Sequence, residues 1–424
     1  MPDVDAEAGT ASDPAAAETV AAAVAAAPFV RLFGHADGDS VAACGLLAVA
    51  LREQGVPFRV HVAADPTAEA AAAVDTADAG DTDDVVDSAG NADERTLVVG
   101  RGRRTAVDLA VPTRGGDRPA SVAAAAISRE LGVDPDPVLA LAGVVAAGET
   151  PGAADSERLL EAAQTADLVA RRPGVALPTA DLADGLAHST RFDASFSGDR
   201  EAAADHLAEV GVSSESDGDR DEAAHTRLAS LVAVETATAP TAAPQAADSV
   251  EAALRPYATP AGPCATLGGY ADVLSALARE RPGVALSLAF DAPGAVDEAI
   301  EVWRAHGAAT HAALASPTVG RYNGVSVFRV ATERPTVLPT VARLARRFRS
   351  PEPVALAVTE EPVDGQRHAA AAATDTHGLG ATMRTVADEF DGDGGGTPTA
   401  ATLALDGEID AGDTIAAVRE ALDA

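Results

Sequence analysis

The 424-residue chain contains no lysine, so each of its 31 basic residues is an arginine, set against 65 aspartates and glutamates for a formal net charge of −34. Aromatic residues make up only 3% of it, with a single tryptophan. Cores that lack aromatics must be filled by alanine, valine and leucine, which favours closely packed helices. There are two cysteines, far apart in sequence. Cys44 falls on the apolar side of a helix, so Cys44 and Cys264 read as two buried reduced thiols rather than a disulfide. No apolar run reaches the roughly 18 residues that a bilayer crossing needs, and no basic stretch followed by an apolar core opens the chain. The expectation is a soluble, cytoplasmic protein with no membrane partner.

Excess acid without lysine is the pattern of a chain adapted to concentrated salt, where self-repulsion is screened. A net charge of −34 would ordinarily exclude nucleic acid as a partner. Where acidity is a general background, a local arginine cluster can still act on phosphate. The loop GRGRRTAVDLAVPTRGGDRP supplies one, with Arg101, Arg103, Arg104, Arg114 and Arg118. It reads equally as a phosphate-binding loop or as arginines paired with nearby carboxylates. A second lies on the expected helix Val337–Phe348, where Arg343, Arg346, Arg347 and neighbouring Arg349 suit either a nucleic-acid strand or surface ion pairs.

The chain is organised around FVRLFGHADGDSVAACGLLAVALREQG, Phe29–Gly55. It reads as a strand to Phe33, a turn carrying His35, Asp37 and Asp39, and a helix from Ser40, its N-cap, to Gln54, closed by Gly55. Val41, Cys44, Leu47, Ala48 and Leu51 recur at helical spacing and define one buried face. The acidic turn thus sits at the carboxyl end of a strand and the amino end of a helix, where open α/β sheets hold ligands. Two carboxylates and an imidazole there suit Mn²⁺ or Mg²⁺. The same aspartates equally suit capping of the helix and its dipole.

Further strands are expected at Phe58–Val62 and Thr96–Val99, giving an α/β class with a doubly wound, mostly parallel sheet. Helices follow at Ala120–Leu131 and Val138–Ala147. A helix and loop over Leu177–Asp199 carry His188 on a polar face. Residues 212–222 and 236–249 read as exposed loop and linker. A helix at Tyr270–Glu280, a strand at Val284–Phe290 and a helix at Val296–Trp303 lead to a smaller α/β unit. That unit has strands Val325–Val330 and Val354–Val358, a helix Leu379–Phe390 and a closing helix. Gly394, Gly395 and Gly396, followed by Thr397, read as a turn that either admits a phosphate to its amides or is simply flexible. The expected units are an acidic tail and lead-in helix (1–27), a first domain (28–165), a mostly helical connector (166–318) and a C-terminal domain (319–424).

GHADGDSVAACGLLAVALREQG and LGATMRTVADEFDGDGGGTPTAA resemble the two ends of a DHH-family phosphoesterase, in particular archaeal RecJ-like exonucleases. GGYADVLSALA (Gly268–Ala278) and LADGLAHST (Leu182–Thr190) support the likeness, and ADGDSVAACGLL is its most specific part. The resemblance implies a DHH domain followed by a DHH-associated C-terminal domain that binds single strands. It also implies hydrolysis of phosphodiesters by two Mn²⁺ or Mg²⁺ ions. Asp37 and Asp39 fall on the first-motif aspartates, and Glu149 takes the place of a later one, so His35, Asp37, Asp39 and Glu149 form the implied metal set. The departures are as telling. Phe33 stands at the first-motif histidine, Gly100 at the second-motif aspartate, and Thr397 where the glycine run normally ends in histidine. No Asp-His-His triplet occurs, and Asp205-His206 lies well past its place. The implied function is a catalytically degenerate RecJ-like protein that binds single-stranded DNA or RNA through Arg101, Arg103, Arg104, Arg343, Arg347 and Gly394–Thr397, or a replication and repair scaffold with GINS-like partners. The alternative is an active Mn²⁺-dependent exonuclease or phosphoesterase using the reduced site.

Overall fold

A computed structural model describes residues 13–78, 94–100, 109–111, 118–214 and 222–423. Arg101, Arg103, Arg104 and Arg114 lie outside the described residues. Helix α1 (Asp13–Ala25) leads into β1 (Val30–His35), α2 (Gly38–Gln54), β2 (Phe58–Ala63), α3 (Pro66–Asp78), β3 (Arg95–Val99) and the short β4 (Leu109–Ala110). These strands pair in parallel in the order β2-β1-β3-β4, with Val30 level with Phe58 and Arg95. Alternation along the strands divides the two faces. Val30, Leu32, Leu97 and Val99 join the large core with α2, while Phe33 and Val98 meet Ala70 of α3. Helices therefore cover both faces, as a doubly wound sheet requires.

Two details of the opening stretch differ from the sequence expectation. Strand β1 runs on to His35, and the N-cap of α2 is Asp37 rather than Ser40, with the Ser40 amide donating to the Asp37 carboxylate. An extended aspartate three residues before a free amide supplies the acceptor that a helix start needs, so the helix begins at Gly38. Helix α2 is also buried on nearly every side rather than along one stripe. Its small residues allow this: a Cβ on Gly38 would lie 2.9 Å from Ala146, and one on Gly45 2.8 Å from Ala289.

The chain continues through α4 (Ala120–Glu130), α5 (Pro137–Ala146), α6 (Glu157–Thr165), β5 (Ala170–Arg171), α7 (Leu182–His188), α8 (Arg200–Glu209), α9 (Glu222–Ala237), α10 (Ala246–Glu251), β6 (Tyr257–Ala258), α11 (Leu267–Glu280), α12 (Pro282–Ala289) and α13 (Ala295–Ala315). The large core takes Tyr270, Val273 and Leu277 from α11 and Trp303 from α13. Both cysteines are buried free thiols. Two expectations are corrected here. Val284–Phe290 is helix, not strand: Pro282 occupies the first turn, where its missing N–H costs nothing, and the run packs on α2. Residues 236–249 are not a bare linker, because Ala243 and Ala246 are buried and the Gln245 amide donates to the carbonyls of Arg346 (3.0 Å) and Ser350.

The C-terminal part comprises β7 (Thr318–Tyr322), β8 (Val325–Val330), α14 (Leu338–Leu344), β9 (Val354–Thr359), β10 (Gln366–Ala373), α15 (Leu379–Glu389), β11 (Asp393–Gly396), β12 (Ala400–Asp406) and α16 (Ala411–Asp423). Its sheet order is β11-β12-β10-β9-β8-β7, with only β8 and β9 parallel. One face, with Phe328, Val330, Ala355 and Ala357, meets α14 and residues of α7 to α9. The other, with Val327, Leu356 and Val358, meets Leu379, Met383, Ile415 and Val418. Two further corrections fall here. The arginine helix is not one regular helix: α14 widens into a π-helical turn over Ala345–Arg349. Gly394–Gly396 is not a turn but the edge strand β11, paired with β12. Among the described residues no helix is long and apolar enough to cross a membrane.

Candidate functional site

His35 ends β1 and Asp37 starts α2, so the strand-to-helix turn sets both side chains at the carboxyl edge of the first sheet. His35 Nδ1 lies 2.8 Å from Asp37 Oδ2, and the other oxygen of Asp37 accepts from the Ser40 amide at 2.8 Å. Burial alone would raise the Asp37 carboxyl, but the hydrogen bond and charge of His35 and the Ser40 amide outweigh it and hold it at about 2. Asp39, two residues on, points to a different partner. Its oxygens accept from the amides of Ala120 (2.7 Å) and Ser121 (2.9 Å), the first residues of α4. Pro119 gives α4 no side-chain cap of its own, so Asp39 closes that helix from across the fold. Burial and the neighbouring charge of Asp37 push the Asp39 carboxyl up to about 6, against the pull of those amides.

Gly100 does stand beside this turn, but no side chain fits there. Its φ is +109°, and a Cβ would lie 2.3 Å from Ser40 Oγ and 3.3 Å from His35 Cβ. Arg279 of α11 reaches the same turn, donating from Nη1 to the Ala36 carbonyl at 2.8 Å. Glu149 follows α5, with its amide bonded to the Val144 carbonyl. Among the described residues no three His, Cys, Asp or Glu side chains converge to hold a metal ion. The implied set of His35, Asp37, Asp39 and Glu149 is therefore not brought together. With both aspartates bonded to helix amides and a guanidinium on the turn, the described residues do not fit a pair of divalent cations. Asp205 and His206 lie on α8, where His206 faces Glu209 and Glu235.

The glycine strand lies closer to the first sheet. A Cβ on Gly395 would come 3.4 Å from the Asp65 carboxylate, beyond the end of β2, and 3.8 Å from Arg384. Gly394 and Gly396 are confined by close approach: a Cβ on Gly394 would meet the Met383 carbonyl at 2.5 Å. Thr397 is buried and holds the β11–β12 turn, accepting from the Ala400 amide at 3.0 Å. Its hydroxyl is thus a fixture of the turn rather than a free ligand.

Arg343 and Arg347 lie half-buried rather than on an open surface. Arg343 Nη2 donates to Thr190 Oγ1 at 2.9 Å, and Thr190 Oγ1 donates to Asp272 at 2.5 Å. Burial, then the charge of Arg347, with Arg279 and Arg191 adding, pushes the Arg343 guanidinium down to about 9, although Asp272 opposes it. Burial likewise brings Arg191 down to about 10, against the pull of Asp272. Sequence reasoning had passed over Arg191 and Arg279. Arg191 directly follows the LADGLAHST segment, yet only the tertiary bonds that join Thr190 to Arg343 and Asp272 bring it near the others.

Over 396 residues the chain is 40% identical to "Uncharacterized protein rrnAC1427" of Haloarcula marismortui, covering 93% of this chain and 94% of the other. Residues 317–420 match the family described as "Uncharacterized protein rrnAC1427, C-terminal domain". Among solved structures, CDC45 from Entamoeba histolytica is similar with a TM-score of 0.64 at 9% identity, over 97% of this chain and 99% of that one. RecJ from Thermus thermophilus, in complex with Mn²⁺, gives 0.50 at 16% identity, over 97% of this chain and 55% of the RecJ chain. At these identities the likeness to solved structures is one of fold. A haloarchaeal relative agrees with the acidic, lysine-free composition. The chain belongs to the family of the Haloarcula protein rrnAC1427 and has a RecJ-like DHH fold.

Proposed function

We propose that this protein binds single-stranded DNA or RNA between its two sheets and does not cut it. One observation carries the reading: Asp37 and Asp39, the aspartates that the resemblance assigns to metal, serve as caps on α2 and α4. What remains is a cationic wall. Arg343 and Arg347, with Arg191 and Arg279 near them, offer donors to sugar-phosphate. The glycine strand Gly394–Gly396 lies next to Asp65, beyond the end of β2. Mn²⁺ or Mg²⁺ would supply hydrolysis only if ligands from outside the described residues completed the set.

The test uses fluorescently labelled single strands in molar KCl with Mn²⁺ present. Anisotropy should rise saturably, and a denaturing gel should recover the strand at full length. Mn²⁺-dependent shortening that disappears in Asp37→Ala/Asp39→Ala would establish the alternative, an active exonuclease or phosphoesterase. A second reading, a replication and repair scaffold that docks a GINS-like protein, gains support from the likeness to CDC45, with a TM-score of 0.64 over 97% of this chain and 99% of that one. Absence of strand binding, together with a stable complex with such a partner, would select it.

A further inference from the structure

Strand β7 closes one end of the C-terminal sheet and is paired on one side only, with β8. The register fixes which of its backbone groups are used. The two-residue turn Asn323-Gly324 joins Tyr322 to Val325, which makes that couple the closing hydrogen-bonded pair of the hairpin. Alternation then assigns Thr318, Gly320 and Tyr322 to the β8 ladder and turns the N–H and C=O groups of Val319 and Arg321 outward. An edge of this kind is a template for one more strand.

The side chains along it are unlike the rest of the surface. Four large hydrophobic side chains are exposed among the described residues, and two of them, Val319 (54%) and Tyr322 (38%), lie on this five-residue strand. The local charge is also reversed. In a chain of net charge −34, the edge carries Arg321, with Arg329 level with Thr318 on β8 and Arg419 of α16 stacked on the Tyr322 ring at 3.9 Å. Arg419 shares its hollow with Glu420 and Asp423, but Arg321 and Arg329 form no ion pair among the described residues, whose arginine pairs lie at other positions. Glu352, which meets the hairpin, is bound to the Gly324 amide at 3.1 Å. Val319 is level with Phe328 and Arg321 with Ser326, so both side chains stand on the face of the sheet that carries α14. A second copy of β7 is the poorer occupant of this edge. Antiparallel pairing about Gly320 would set each Arg321 against a Val319 and give it no carboxylate.

We propose that β7 is a docking edge for an extended acidic segment of another protein, which joins the sheet with a carboxylate opposite Arg321 and an apolar residue opposite Val319. Main-chain bonds to Val319 and Arg321 hold the segment, and the two side chains select it. At molar salt the screening length is about 3 Å, so diffuse attraction to other acidic surfaces is lost and a carboxylate counts only in contact. The proposal takes nothing from the strand-binding reading above.

The probes are two short fluorescein-labelled peptides in molar KCl, both runs of threonine, with glutamate and valine two residues apart in one and lysine and valine in the other. With the full chain, anisotropy should rise saturably for the glutamate peptide, and the amides of Val319 and Arg321 should become protected from exchange. Val319→Pro removes an outward N–H and none from the β8 ladder, so it should fold and abolish binding. Arg321→Glu should weaken the glutamate peptide by about fivefold or more and bind the lysine peptide the more tightly of the two. If Val319→Pro does not fold, the charge exchange at exposed Arg321 decides alone. No saturable binding, or equal affinity of the wild type for both peptides, overturns the proposal. A concentration-dependent dimer in light scattering that Arg321→Glu or Val319→Pro disperses also overturns it, by giving the edge to a second copy.

Discussion

An aspartate offers two oxygens, and where their lone pairs already point decides whether it can hold a cation. Asp39 gives both to the start of α4, and its carboxyl, raised from 3.8 to about 6, records what that position beside Asp37 costs. A raised carboxyl binds its proton more tightly folded than unfolded. The folded state therefore loses stability as pH rises from about 4 to about 6, by roughly 2–3 kcal/mol for a shift of this size. Asp37, held at about 2, works in a lower window, with stability present above pH 4 and lost as pH falls toward 2. Asp39→Asn keeps one acceptor for α4 and removes the titration. Denaturant midpoints of wild type and variant, compared across this range, should converge at pH 4 and diverge by pH 6 in favour of the variant. Parallel curves would show that Asp39 does not titrate there. At this scale the sequence was half legible. It showed both aspartates and both of their possible duties, but the amides that decide between those duties lie 81 and 82 residues away, beyond any local pattern.

The opening βα unit, both cysteines, the parallel sheet and the C-terminal strands β8 and β9 follow local rules, and their positions were readable within a few residues; β7, β10, β11 and β12 were not expected. Val284–Phe290 was not readable, because a short apolar run fits a buried strand and a buried helix alike; the Pro282 start signal and the face of α2 decided it. The glycine run was misread for a related reason. Glycines signal turns, yet here they let α15 lie directly on β11. A Cβ on Gly380 would come 2.1 Å from the Gly396 carbonyl oxygen, while one on Gly378 would meet nothing, though its φ is +65°. Gly380→Ala should therefore destabilise by about 2–4 kcal/mol, with faster amide exchange along β11. Gly378→Ala should cost only about 1 kcal/mol, the strain of a left-handed residue. Equal effects in denaturant unfolding would refute close packing as the reason for the glycines.

Across the whole molecule, a net charge of −34 with no lysine makes concentrated salt part of the folded state. Dilution from molar KCl to low ionic strength lengthens the screening distance from about 3 Å toward 30 Å, so repulsion then acts over much of the protein. The melting temperature should fall on the order of 10 °C or more over that range. A melting temperature independent of salt would mean that the acids are individually neutralised within the fold.

Ser40 and Gly100 lock each other's identity at the first site. An acidic side chain at position 100 would strike Ser40 Oγ, which lies 2.3 Å from the place its Cβ would take, on a backbone that already favours glycine. Recruiting Asp39 for another duty would at the same time uncap α4. An acid at position 100 thus fits only together with a smaller residue at position 40 and another cap for α4, so neither substitution can be made singly without cost to the fold.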